Sequence, residues 1–387
     1  MQSSFCKVLI YRYFKVYVNL NRMEKIRSIA KNLFKNFFRF LFKLIYGKII
    51  YNKENLKSEN IQIYELKNAE IINYFNNKYK VYKIINGKIY TDTVESVAII
   101  DGNNIVDNVS YQQIIGDLVS ANKNIVLKNG TPRFKKKFKG RVLSLAQGAS
   151  GHKNYSHWLF DMLPKIKLYS EIYNLNDLNF IYLNKLNNFQ LESLKLIGWD
   201  NLKIIDSDRF RHIQADEIIC TDHPSYYKGY ILEQAKNVPT WIVKWLRNSF
   251  LEKSEKFECN DKIFIDRSNG AHHCQFINET EVDQYLKEKG FTKYKLEDLS
   301  FSKQLYLFKN AKYIVGAHGA GFSNLTFCNK NTNIIEVRPE NHPNTIYNRL
   351  SDINKLNYRL ISTKKIDGNK INGDIHLKID ELKKFLF

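Results

Sequence analysis

The chain has 387 residues, room for two or three domains, and its 44% hydrophobic and 14% aromatic content excludes a disordered polymer. Sixty Lys and Arg against 39 Asp and Glu leave a formal charge of +21, which points to a polyanionic partner. Residues 1–53 hold twelve of those cations against one acid, Glu24, so this short arm carries +11 and the rest of the chain +10.

The arm comes first. Arg27, Lys31, Lys35, Arg39 and Lys43 recur at every fourth residue, which on a helix makes a slowly winding basic stripe. Ile26, Ile29, Leu33, Phe34, Phe37, Phe38, Leu41, Leu44 and Ile45 fill the remaining circumference. A cationic stripe beside a Phe/Leu face is the composition of an interfacial helix, so residues 25–50 are expected to lie on an anionic membrane surface. The alternative is an ordinary helix packed on the body with a solvated basic face. Nucleic acid is not expected as a partner, because no recognised binding motif or aromatic-studded groove appears elsewhere. No run approaches the ~18 apolar residues of a membrane span, and Lys7, Arg12 and Lys15 interrupt any secretory core. Five widely spaced cysteines without a CxxC pair fit a reducing compartment. The expected location is therefore cytoplasmic, peripheral on the inner face of the cell membrane.

From about residue 93 short apolar runs alternate with helical patterns. Strands are expected at Val97–Ile100, Arg141–Leu145, Asn179–Leu183, Leu202–Ile205 and Glu217–Cys220, with helices near 154–173, 187–198 and 233–252. A second set runs strand 262–266, helix 279–289, strand 292–296, helix 299–310, strand 312–315, helix 322–327, strand 333–337, helix 344–354. Asn278 with Glu281 three residues on has the spacing of a capping box. Strands alternating with helices imply parallel sheets, and the polar stretch FLEKSEKFECND separates two such sets. The expected divisions are an arm over 1–55, one α/β domain over 56–250 and another over 251–387.

Ligands of parallel sheets sit at the carboxyl ends of the strands, and three elements there carry chemistry. NYSHWLFDMLPK places Asn154, His157 and Asp161 along one helix face, where either of the last two suits proton abstraction from a hydroxyl; Pro164 should kink or end that helix. Arg267 directly follows a strand, where a guanidinium can clamp phosphate oxygens, while the adjacent His272 and His273 read as loop residues. KYIVGAHGAGFSN runs a strand into Gly316, His318, Gly319, Ala320 and Gly321 and then a helix, a place for backbone amides to meet an anion. Glu336 ends the next strand and suits a ribose diol. His152 lies on a different face from His157 and Asp161, so no metal site is expected.

Together these pieces resemble glycosyltransferase family 61, a family that includes bacterial capsule and lipopolysaccharide enzymes. The matching stretches are NYSHWLFDMLPK, Arg267 with Asn278 and Glu279, GFTKYKLEDLSFSKQLYLFKNA, VGAHGAGFSNLTF and IIEVRP. Gln275 and Lys165 stand where the family usually has Arg. The resemblance implies a GT-B arrangement of two Rossmann-like domains, the first for acceptor and base, the second for nucleotide sugar. It also implies an inverting, metal-independent transfer to a glycan or lipid-linked glycan acceptor, with no cofactor. On this reading Asp161 is the base, and Asn154 and His157 position the acceptor. Arg267, His318, Gly319, Ala320, Gly321 and Asn324 hold the diphosphate side, and Glu336 the ribose. The alternatives are a pyruvyl- or phosphotransferase of polysaccharides, or a non-catalytic membrane-associated assembly partner.

Overall fold

The computed structural model describes residues 27–93, 96–146, 153–199, 201–226, 229–267, 274–364 and 373–386. His152, His272, His273 and the beginning of the arm lie outside the described residues.

Residues 27–46 form one helix. Phe34, Phe38, Phe42 and Tyr46 stack along it at four-residue spacing, with centroids 4.5, 6.0 and 5.5 Å apart in turn. Only its last turns are anchored. Phe42 is buried edge-on against Phe134, and the Tyr46 hydroxyl accepts from the Lys135 amide at 3.1 Å. Further out, Ile29, Leu33, Phe34, Phe37 and Phe40 are exposed, as are Leu44 and Ile45 beside the anchoring residues. The outer turns therefore carry Arg27, Lys31 and Lys35 as well as large apolar side chains in solvent, while Lys43 donates to the Lys128 carbonyl of the body.

Two sheets follow. The first contains β1 (Ile61–Glu65), β2 (Lys80–Ile85), β3 (Lys88–Thr93), β4 (Ser96–Asp101), β5 (Asn104–Ile105), β6 (Gln112–Ile114), β7 (Asp117–Val119), β8 (Lys136–Ser144), β9 (Phe180–Leu183), β10 (Lys203–Asp206), β11 (His212–Thr221) and β12 (Gly229–Tyr230). The expectation of a parallel Rossmann-like sheet here needs correcting. Only β8, β9, β10 and β11 run parallel, and the other pairings are antiparallel. The reason is connection length. The strands of 80–119 are joined by tight turns such as Ile115-Gly116, both at positive φ, whereas a parallel neighbour needs a crossover of about a dozen residues. The long strand β11 joins the two regimes, pairing with β8 on one side and with β2 and β3 on the other.

The second sheet is wholly parallel. It contains β13 (Lys262–Ile265), β14 (Thr292–Tyr294), β15 (Tyr313–Ala317), β16 (Asn333–Pro339) and β17 (Asn357–Thr363), in the order β14-β13-β15-β16-β17. The order reverses between β13 and β15, which makes that gap the crevice where such sheets take ligands. Asn278 does not form the capping box expected of it. Its amide nitrogen reaches the Glu281 carboxylate at 2.8 Å, and its carbonyl oxygen accepts from the Leu377 amide, tying down the C-terminal segment.

The two sheets share one hydrophobic core, which runs from Trp158 and Leu159 through Ile242 and Phe250 to Phe301, Phe322 and Leu350. The helix Thr240–Phe250 is the splice. Phe250 meets Phe301 edge-on at 5.1 Å, and Arg247 donates to the carbonyls of Thr326 and Cys328 at 2.8 and 2.7 Å. Glu192, on the helix Asn188–Leu196 of the first sheet, accepts from the amides of Phe301 and Ser302 that open the helix Phe301–Asn310 of the second. Among the described residues no helix is long and apolar enough to cross a membrane.

Candidate functional site

Register places the second-sheet residues. Ile265, Gly316 and Glu336 lie in one row across β13, β15 and β16, so Arg267 and His318 each stand two residues beyond that row at the carboxyl ends. Arg267 is largely buried and donates to the His318 carbonyl. Burial lowers the pKa of its guanidinium, though a group of such high intrinsic pKa stays charged. Gly319 has φ near 170°, an extended conformation open to any residue, yet a Cβ there would lie 1.0 Å from Arg267 Nη1. The glycine is required for space. It lets the guanidinium lie flat against the loop at the start of the 3-10 helix Ala320–Phe327.

Arg267, Gly319, Ala320 and Gly321 line a cavity of about 250 Å³, walled further by Tyr155 and Phe189 from the first sheet's helices. His318 and Glu336 stand behind it. His318 Nδ1 pairs with the buried Glu336 carboxylate, and its ring packs on His342 and Tyr347, with centroids 4.3 and 5.0 Å away. Glu336 is fully buried, and its other oxygen accepts from the Tyr358 hydroxyl. The expectation that Glu336 faces a ribose therefore meets a different geometry: each oxygen already has a partner inside the protein. Asn324 is likewise engaged internally. Its carbonyl oxygen accepts from Tyr155 at 2.6 Å, and its nitrogen donates to Gln304 and to the Gly321 carbonyl.

That Tyr155–Asn324 bond joins the glycine loop to the Asn154–Asp161 segment. Asn154 is exposed and caps the helix, accepting from the amides of Ser156 and His157. The next turn is not α. Trp158–Met162 winds as a π-helix, with the Leu163 amide donating to the Trp158 carbonyl, five residues back. The wide turn precedes Pro164, which has no amide proton to give, and the helix then runs on to Ser170. Pro164 thus neither ends the helix nor breaks it. Within the π turn Asp161 is buried, and its Oδ2 lies 2.5 Å from Nδ1 of the part-exposed His157. Tyr226, which no sequence signal marked, brings its hydroxyl to 3.4 Å from the same Nδ1. His157 and Asp161 are not among the residues that line the 250 Å³ cavity.

Gln275 and Lys165 have definite places. The Gln275 side-chain amide holds the Arg267 carbonyl at 3.3 Å. Lys165 is fully buried, donates to the Leu145 carbonyl at 2.6 Å, and is pushed by burial from the ordinary lysine range down to about 7. Between those two values the unfolded chain binds a proton that the folded chain lacks. Stability should therefore rise with pH through that window, by up to about 1.4 kcal/mol per pH unit. Denaturant midpoints at pH 7.5 and 9.5 are expected to show this gain in the wild type and not in Lys165→Met; equal gains in both would remove Lys165 as the cause.

Among the described residues no group of three or more His, Cys, Asp or Glu side chains could hold a metal ion. Another concavity, of about 710 Å³, lies between the arm helix and the body, with Lys31, Lys35, Arg39, Arg133 and Arg211 set among Phe34, Phe38 and Phe134.

Residues 155–335 match the family model described as Glycosyltransferase 61. A crystal structure titled bacterial iron-containing dodecameric glycosyltransferase TibC, from enterotoxigenic E. coli H10407, is similar over 75% of this chain and 79% of that one, at 10% identity and a TM-score of 0.27. No curated protein matches the chain.

Proposed function

We propose, for a chain whose residues 155–335 match the model of glycosyltransferase family 61, an inverting transfer of a sugar from a nucleotide-sugar donor to a glycan acceptor in cell-surface polysaccharide synthesis. The observation that carries this reading is the crevice between β13 and β15, where Arg267 lies against the Gly319–Gly321 loop beside an open cavity. A guanidinium and backbone amides at the carboxyl ends of parallel strands suit a leaving diphosphate without requiring a metal. The parallel second sheet supports a GT-B-like donor half. The role proposed for His318 and Glu336 is to hold the loop from behind; Asn324 links it to Tyr155.

The His157–Asp161 pair supports a base. Asp161 stands behind the ring and His157 is the more exposed partner, so His157 Nε2 is the atom that reaches an acceptor, with Asp161 fixing the tautomer. The acceptor oxygen attacks the anomeric carbon on the face opposite the diphosphate, and its proton passes to Nε2. The bond from that carbon to the phosphate oxygen breaks, and the nucleotide (a diphosphate from a UDP- or GDP-sugar, a monophosphate from a CMP-sugar) leaves with the electron pair. Incubation with UDP-, GDP- and CMP-sugars should release nucleotide from one of them, undiminished by a chelator. Loss of all turnover in chelator overturns metal independence, and no release from any donor overturns glycosyl transfer.

The arm is proposed to hold the enzyme peripherally on an anionic membrane, where the basic groove suits phosphate groups of lipids or of a lipid-linked acceptor. Each cation near such a surface contributes about 1 kcal/mol. Changing Arg27, Lys31, Lys35, Arg39 and Lys43 to Gln should weaken binding to phosphatidylglycerol vesicles more than 100-fold at low salt. Unchanged sedimentation with vesicles would refute the membrane role.

A further inference from the structure

A second cleft, of about 270 Å³, opens over the loop that follows β11. Its floor is His223–Tyr226, and its walls include Tyr74, Phe75, Asn108 and Tyr111 from the antiparallel part of the first sheet. Those walls lie outside the family-matched segment. The floor is bonded directly to the helix that carries His157 and Asp161. Ser225 Oγ donates to the Phe160 carbonyl at 3.1 Å, and Tyr226 brings its hydroxyl to 3.4 Å from His157 Nδ1. The cleft is thus one side chain away from the proposed base.

Its chemistry is that of a surface for alternating C–H and O–H groups. Phe75 is 52% and Tyr74 41% exposed, so both rings present open apolar area at the mouth of the cleft. The loop that bears them is pinned. Asn73 Oδ1 accepts from the amides of Phe75 and Asn77, Asn76 adopts φ 62°, and the Arg349 guanidinium lies 5.6 Å from the Tyr74 ring. Such preorganised rings offer flat apolar faces without an ordering cost on binding.

His223 supplies a polar counterpart. Its Nδ1 accepts from the Tyr226 amide at 2.9 Å and from the Ser225 amide at 3.3 Å, so in the neutral ring the proton sits on Nε2. Burial drives its pKa well down, keeping it neutral. Nε2 is buried and has no hydrogen-bond partner among the described residues. A buried donor without a partner is costly unless something supplies an acceptor.

We propose that this cleft receives the acceptor glycan, with Phe75 and Tyr74 stacking on the C–H face of a sugar ring and His223 Nε2 donating to a hydroxyl or ring oxygen. The proposal rests on the glycosyl-transfer reading and assigns acceptor choice to residues 73–82 and 108–111 rather than to the matched segment.

The test probes the full chain on an array of immobilised neutral and acidic oligosaccharides, with calorimetric titration of UDP, GDP and CMP in parallel. Two variants are compared with wild type. Phe75→Ala removes an exposed ring. His223→Asn keeps an acceptor for the two amides and deletes the Nε2 donor. Wild type is expected to be retained on a subset of glycans, both variants to lose that retention at least tenfold, and nucleotide affinity to stay within twofold. If wild type binds a nucleotide but no glycan, or if Phe75→Ala is retained as well as wild type, the acceptor cleft is overturned and glycosyl transfer survives. If wild type binds no nucleotide, the underlying reading falls and takes this one with it.

Discussion

Replacing Asp161 with Asn, or His157 with Ala, is expected to lower the rate of sugar transfer by about 10²–10⁴, the usual contribution of a general base. Nucleotide affinity should stay within a factor of two in both variants. The separation follows from position. The pair sits on the π turn of the first sheet's helix, and neither side chain lines the cavity beside Arg267. Asp161→Asn is the sharper probe, because it preserves shape at a buried site while losing the charge that fixes the His157 tautomer. His157→Ala removes the exposed partner itself. If Asp161 only packs the helix, Asp161→Asn should change melting behaviour and leave turnover intact. If His157 is the base and Asp161 its orienting partner, the double variant should be little slower than His157→Ala, because residues acting as a unit are not additive. A fully additive loss would assign them separate steps.

The second large effect concerns one missing methyl group. Gly319→Ala should weaken nucleotide diphosphate binding by about 10–100-fold, the worth of a displaced charge-assisted contact of 1.5–3 kcal/mol. The backbone at Gly319 is extended, so alanine adds no conformational strain there. It adds an atom in the space that Arg267 Nη1 occupies. The defect should therefore be that of Arg267→Ala, and combining the two should add little. Arg267→Lys should not restore binding, because an ammonium cannot offer the flat fork that lies against the loop. Wild-type affinity in Gly319→Ala, measured by calorimetry, would mean that Arg267 does not hold the diphosphate.

Much of the second sheet was legible before any coordinates. The strands at 262–266, 312–315 and 333–337 and the helices at 279–289 and 344–354 differ from the observed elements by a few residues at their ends. Fully buried parallel strands read as unbroken apolar runs, and Gly and polar clusters punctuate them cleanly. The antiparallel part of the first sheet was mostly missed. Strands β5, β6, β7 and β12 have only two or three residues, too few to show a period, and the tight turns between the longer strands do not separate periodic blocks. Strand β17 was missed as well, although it supplies Tyr358 to Glu336.

What the sequence determined by itself is the inventory and its order: a cationic, phenylalanine-rich arm, a His and an Asp four residues apart, an arginine after one strand and a glycine loop after another. Local chemistry decides these, because helix period, capping and strand punctuation depend only on near neighbours. What only the tertiary structure decided is which groups remain open to a ligand. Glu336 and Asn324 looked as available in the chain as His318, yet His318 Nδ1 and Tyr358 engage both Glu336 oxygens, and Tyr155 and Gln304 engage the Asn324 amide. Those partners are distant in sequence, and burial leaves no water to compete for the bonds, so the packed fold makes the choice. The same packing left Arg267 against a glycine and His223 Nε2 without a partner among the described residues, two features that no periodicity in the chain reveals.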